Sequence, residues 1–219
     1  MEGEPEPPAA ARRATLQRTA LRLEYATIAW NLGEALFTIA LGIAAASLAL
    51  IGFGADSLIE VFASAVVVWH VRPRHAEDDP RRTALALRLV AVAFVALAVV
   101  LASFAVRDLV TGRRADASPV GIAYLVAAAI VMFGLAIRKR RVAVALASAP
   151  LRSEATLTFL DGVLCVLTLT GLALNAALGW WWADPAAALF VAVAAVGESR
   201  ENLAEAGELL EEPAGADGP

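Results

Sequence analysis

The stretch Ile51–Gly52–Phe53–Gly54–Ala55–Asp56–Ser57–Leu58–Ile59–Glu60–Val61–Phe62 opens an apolar segment that continues to Trp69. Asp56 and Glu60 are four residues apart, so on a helix both carboxylates share one face, about one turn from each other. A carboxylate in a membrane-length helix is costly to bury; it faces a bundle interior or a water path and carries function. Two on one face repel each other unless a cation or a proton sits between them. A helix of this kind calls for partner helices that shield the acids from lipid.

The rest of the chain supplies such partners. Of 219 residues, 59% are hydrophobic and 18% charged, and the mean hydropathy is +0.67. These values point to an all-α integral membrane protein rather than a soluble domain. Six segments are long enough to cross a bilayer, at about 20 residues per crossing. They lie near Tyr25–Leu50, Ala55–Val71, Ala84–Val106, Pro119–Ile137, Glu154–Ala177 and Pro185–Val196. Residues 1–22 read as a disordered N-terminal arm, residues 23–200 as the transmembrane domain, and residues 201–219 as an acidic disordered tail. The third and fourth spans hold almost no polar atoms and read as peripheral or as carrying the subunit interface.

Basic residues set the orientation. Arg12, Arg13, Arg18 and Arg22 precede the first span; Arg72, Arg74, Arg81 and Arg82 follow the second; Arg138, Lys139, Arg140, Arg141 and Arg152 separate the fourth from the fifth. The opposite loops carry only Arg107, Arg113 and Arg114. Positive charge stays inside, which predicts both termini in the cytoplasm of a multi-pass cell-membrane protein. The Trp180–Trp182 run reads as an interfacial anchor on the outer side. Asp184 followed by Pro185 reads as a helix N-cap with proline at the first helical position.

Several function classes are excluded. The sequence has no phosphate-binding glycine loop and no HExxH, so transport would be secondary or passive. No nucleophile–base pair appears in the spans, which argues against an enzyme, and nothing calls for nucleic acid or a resident cofactor. Cys165 stands alone and reads as a small apolar filler. His70 and His75, near Glu77, Asp78 and Asp79, read as a solvated loop.

Further acids join the pair. Glu34 shares a face with Asn31 and either snorkels or lines the same interior as Asp56 and Glu60. Glu154 and Asp161, seven apart in the fifth span, share a face with Thr158; Glu154 also fits a helix start at the interface. Asp56, Glu60 and Asp161, with Glu154 and Glu34 as further candidates, thus form an all-oxygen set inside the membrane. Such a set suits divalent cations and exchanges protons, because its ligands must be deprotonated to bind metal. The chemistry is that of a metal/proton antiporter. A proton-coupled carrier of small organic cations would use the same acids.

Gly54–Ala55–Asp56–Ser57–Leu58–Ile59–Glu60, followed by Ser64 and Trp69, resembles the second transmembrane helix of the cation diffusion facilitator (cation efflux) family. Glu154–Ala155 with Asp161, and Gly179–Trp180–Trp181–Trp182–Ala183–Asp184–Pro185, are similar to the corresponding later segments. The resemblance implies a six-span homodimer with both ends inside that exports divalent metals in exchange for protons. Its central site would map onto Asp56, Glu60, Leu157 and Asp161. Leu157 stands where the family often has His, and the family's cytosolic metal-binding domain does not follow. The missing nitrogen ligand weakens zinc and leaves manganese, iron, cobalt or magnesium, with Thr158, Glu154, Glu34 or Asn31 as the fourth ligand. The same departures suit a non-transporting regulatory relative.

Overall fold

A computed structural model describes residues 9–44, 48–72, 79–113 and 119–211. They form six α-helices with no strand among them: α1 (Ala9–Ala44), α2 (Leu48–Val71), α3 (Pro80–Thr111), α4 (Pro119–Leu146), α5 (Ala149–Leu178) and α6 (Ala183–Glu211). All six expected helices are present, and most are longer than the apolar windows that revealed them. Helices α1 and α6 depart most. Residues 9–22, expected as an unstructured arm, are the first turns of α1, and residues 201–211 of the expected tail are the last turns of α6. Tertiary packing accounts for both: Ala20 is buried against Val67, Val71, Val142 and Leu151, and Ala206 against Ala84 and Leu87. The remaining tail residues, and His75, Glu77 and Asp78, lie outside the described residues.

Four helices contain stretches long and apolar enough to cross a bilayer: Phe53–Val71, Pro80–Thr111, Pro119–Leu146 and Ala149–Leu178. Helix α6, at 29 residues, is long enough, but Asp184 and the charges from Glu198 onward bound its apolar run. In α1, of 36 residues, the apolar stretch after Glu24 carries one charge, Glu34. Large apolar side chains face outward, among them Phe37, Val99, Ile130, Val144, Phe190 and Val193; on a membrane protein these meet lipid tails.

Two sub-assemblies compose the bundle. Helices α1, α2, α5 and α4 form a ring through the contacts α1–α2, α2–α5, α5–α4 and α4–α1. Helices α3 and α6 pair closely and lean on α2 and α5. The largest apolar cluster fills that second contact, with Phe94, Val90 and Leu97 of α3 against Ala63, Leu157, Leu164 and Val191. Helix α3 is therefore only half peripheral, since Val90 is buried while Val92, Val95 and Val99 face outward.

Small residues let the helices approach. A Cβ on Gly54 would lie 2.5 Å from Ile39 Cγ1, and one on Gly171 would lie 2.8–3.0 Å from Asp184 Cβ, Cα and N. Because backbone atoms cannot rotate away, Gly171→Ala is expected to force α5 and α6 apart and destabilise by about 1–3 kcal/mol. Gly134→Ala, where the added atom meets nothing within 4 Å, should be neutral or stabilise by up to about 1 kcal/mol through helix propensity. Thermal unfolding of both variants in detergent checks the pair; equal behaviour would remove the close-approach argument.

Between α4 and α5 the chain reverses within two residues. Ala147 adopts a left-handed conformation (φ 52°), and the Ser148 N–H donates to the Ala143 carbonyl at 3.0 Å, as in a glycine-type helix C-cap. Pro150 then sits in the first turn of α5, just after Ala149. This tight hairpin brings Lys139 of α4 opposite Glu154 of α5. At the other end of α5, Gly179 (φ 70°) caps the helix and the Trp180 and Trp182 rings stack at 5.5 Å. Helix α6 begins at Ala183, two residues earlier than expected, so Asp184 sits in its first turn rather than capping it. The side chain of Asp79 caps α3, accepting from the Arg81 N–H at 3.0 Å.

Candidate functional site

The four-helix ring encloses two polar layers. Helix α1 shows why: Ala20, Glu24, Thr27, Asn31, Ala35 and Thr38 are all buried, at steps of three or four residues that trace one face. The matching face of α2 carries Ser57, Glu60 and Ser64. Each α1 hydroxyl or amide on this stripe bonds back to its own helix, as Thr27 to the Leu23 carbonyl at 3.1 Å and Asn31 to the Thr27 carbonyl at 3.1 Å.

In the first layer stand Asp56 and Glu60 of α2, Glu34 of α1 and Asp161 of α5. Asp161 lies within electrostatic range of Glu60, Asp56 and Glu34. Tyr124 of α4 donates its hydroxyl hydrogen bond to Glu34 Oε1, and Ser57 lies beside the same carboxylate. Asn31 and Thr158 lie within polar reach of Glu60, whose Oε1 has no hydrogen-bond partner. Among the described residues no three His, Cys, Asp or Glu side chains converge on one metal-sized point. The acids surround a common region rather than closing on one centre. Leu157, the position corresponding to a family ligand, is buried in the apolar cluster with α3 and α6, so the donors available to this layer are oxygens.

The second layer lies about two helical turns along α5. Glu154 Oε1 accepts from Lys139 Nζ at 2.6 Å and from Ser64 Oγ at 2.8 Å. Lys139 Nζ also donates to Thr158 Oγ1 at 3.1 Å and pairs with Glu24 Oε2 at 3.4 Å. The side chains of Lys139, Glu24 and Glu154 are all 0% exposed. Glu154, expected beside Asp161 or at an interface, instead belongs to this ion-paired group.

Lys139 and Glu24 are the residues that sequence reasoning missed. Lys139 was counted with its neighbours as loop charge, yet Arg138, Arg140 and Arg141 are exposed while Lys139 is buried. Its register gives the signal, because Lys139 continues the buried row Met132–Ala136 and precedes Ala143. Glu24 fell just outside the first apolar window. His70 is buried near the end of α2, not solvated. Cys165 is buried against Leu125, Ala128 and Ala129, as its reading as a filler requires.

Acids held inside a helical membrane bundle mark a candidate path for ions or protons. A family model described as the cation efflux transmembrane domain matches residues 25–210, a span that includes the four acids of the first layer and at least part of each of the six helices. The chain belongs to the cation efflux family, whose members carry cations across membranes. No curated protein matches the chain.

Proposed function

We propose that this protein exchanges a divalent metal cation for protons across the cell membrane, using Asp56, Glu60 and Asp161 as ligands and proton acceptors, with Glu34 as their neighbour. The observation that carries this reading is the gathering of four carboxylates from α1, α2 and α5 into one region of the helix ring. Like charges so placed need counter-charge. Two states satisfy them: protons on the acids, or a cation among them. Interconversion of the two is antiport chemistry, since metal entry releases protons.

The donor set favours some metals over others. With Leu157 packed in an apolar cluster, carboxylate, amide and hydroxyl oxygens remain. Such ligands suit manganese, iron, cobalt or magnesium better than zinc, which prefers nitrogen or sulfur in a tetrahedral site. The arginine-rich end of the bundle, with Arg72, Arg138, Arg140, Arg141 and Arg152, is assigned to the cytoplasm by charge asymmetry. The first turns of α1 and the last turns of α6 share that end. A homodimer, as the resemblance implies, is assigned as the working unit.

A carrier of small organic cations is the second reading, favoured by the failure of the acids to converge on one metal-sized point. Proteoliposomes loaded with a pH-sensitive dye separate the two. Manganese, cobalt, iron, zinc and magnesium are added outside under an imposed pH gradient. Proton flux triggered by one or two of these metals is expected. Flux with none of them, but with a tetraalkylammonium or polyamine probe, would replace the metal reading by the organic one.

A further inference from the structure

The Lys139 layer contains a mismatch between donors and acceptors. Two carboxylates, Glu24 and Glu154, face one ammonium group. The ammonium gives hydrogen bonds to Glu154 Oε1 and Thr158 Oγ1 and lies 3.4 Å from Glu24 Oε2. Three of the four carboxylate oxygens, Glu24 Oε1, Glu24 Oε2 and Glu154 Oε2, are buried without any hydrogen-bond partner from the chain. Buried polar atoms ordinarily find partners, and an unsatisfied buried oxygen is costly. One charge and three N–H groups under-fill a cage of four carboxylate oxygens and two hydroxyls.

A divalent cation fits what the ammonium leaves over. It carries the charge of two carboxylates, and a hard cation takes about six oxygens. Glu24 comes from α1, Ser64 from α2, Glu154 and Thr158 from α5, and the fourth ring helix, α4, contributes only Lys139. The nearest titratable group of the first layer, Glu60, lies within the electrostatic reach of both Lys139 and Glu154. The two layers are thus electrically continuous while their donors differ.

We propose that Glu24, Ser64, Glu154 and Thr158 form a second cation site of hard oxygen donors, occupied by the tethered Lys139 ammonium, so that a divalent cation enters only by displacing Lys139. The side chain acts as a resident competitor at the arginine-rich end of the ring. The assignment is independent of whether the Asp161 layer carries metal.

The test uses the purified full chain in detergent, in an Asp161→Asn background that disables the first layer. Manganese binding is measured by equilibrium dialysis, and thermal unfolding with and without manganese. Adding Lys139→Ala is expected to add one manganese equivalent per chain and to make the unfolding temperature rise with manganese, because a ligand that binds the folded state stabilises it by mass action. Adding Glu154→Gln should remove both gains. No added equivalent and no manganese-dependent stabilisation would overturn the site, as would a gain that survives Glu154→Gln. If Lys139→Ala does not fold without metal, extraction and purification in manganese replaces the first comparison. Folded, monodisperse protein recovered only with the metal supports the site; failure to recover it with metal overturns it. The Asp161 layer is read separately, from manganese binding of the wild type against Asp161→Asn alone.

Discussion

Asp161→Asn is expected to abolish metal-triggered proton flux while leaving the bundle folded. The substitution keeps the shape of the side chain and its capacity to hydrogen-bond. It removes one negative charge, one proton acceptor and one ligand oxygen of high basicity. In metal sites, changing a partner that only orients a ligand costs about 10–100-fold in affinity or activity, so replacing a ligand should exceed about 100-fold. Folding should survive because Asp161 has no ion-pair partner among the described residues, and relief of repulsion with Asp56 and Glu60 offsets the lost charge.

The informative control is Asp184→Asn. That acid lies in the first turn of α6, beside Thr168 and against Gly171, and no acid of the Asp161 layer acts on it. Flux near the wild-type rate is expected. The measurement is the initial rate of dye response in proteoliposomes of equal protein content, over a range of metal concentration. A rate for Asp161→Asn close to wild type would mean that the acid is structural and that the cation path runs elsewhere. Equal losses in both variants would mean that the assay reports bundle integrity rather than cation binding.

The parts of this molecule that were legible in its sequence are those that obey one-dimensional rules. Apolar runs mark the helices, with Pro119 opening α4 where expected, and Asp56 and Glu60 share a face because the helix repeat requires it. Helix ends were less legible. A hydropathy window stops where charge begins, whereas α1 starts at Ala9 because Ala20 and Glu24 are covered by α2, α4 and α5. The reversal at Ala147 was hidden for a different reason. A non-glycine residue at positive φ carries no sequence signature, so α5 starts at Ala149 rather than at Glu154. The site was half legible. Placing Asp161 with Asp56 needs only the rule that a carboxylate within a membrane span faces the bundle interior, but withdrawing Glu154 from that group needs to know that Lys139 points inward. Among four consecutive basic residues that distinction rests on a register of three or four residues, and charge-counting averages it away.

The inward Lys139 leads to the second large effect, on stability. Lys139→Met keeps the length and apolar stem of the side chain and deletes its charge. It leaves Glu24 and Glu154 buried, facing each other without the ammonium that lies between them. Removing one partner of a buried ion pair costs about 3–5 kcal/mol, because the remaining charge is stranded in a medium that solvates it poorly. The unfolding temperature should fall by on the order of 10 °C, by the scaling for domains of this size. Restoring charge balance should restore stability: Glu24→Gln and Glu154→Gln added to Lys139→Met replace the ion triad by a neutral polar group and are expected to recover most of the loss. The effects are then strongly non-additive, as expected for residues in direct contact. Thermal unfolding of the single, double and triple variants in one detergent, without added metal, measures the coupling. Additive losses, with the triple variant least stable of all, would show that the side chains contribute through packing alone. Recovery in the triple variant would instead show that the electrostatic balance of this layer, rather than its shape, holds α4 against α1 and α5. A layer held in that way can be opened by any cation able to take the place of Lys139.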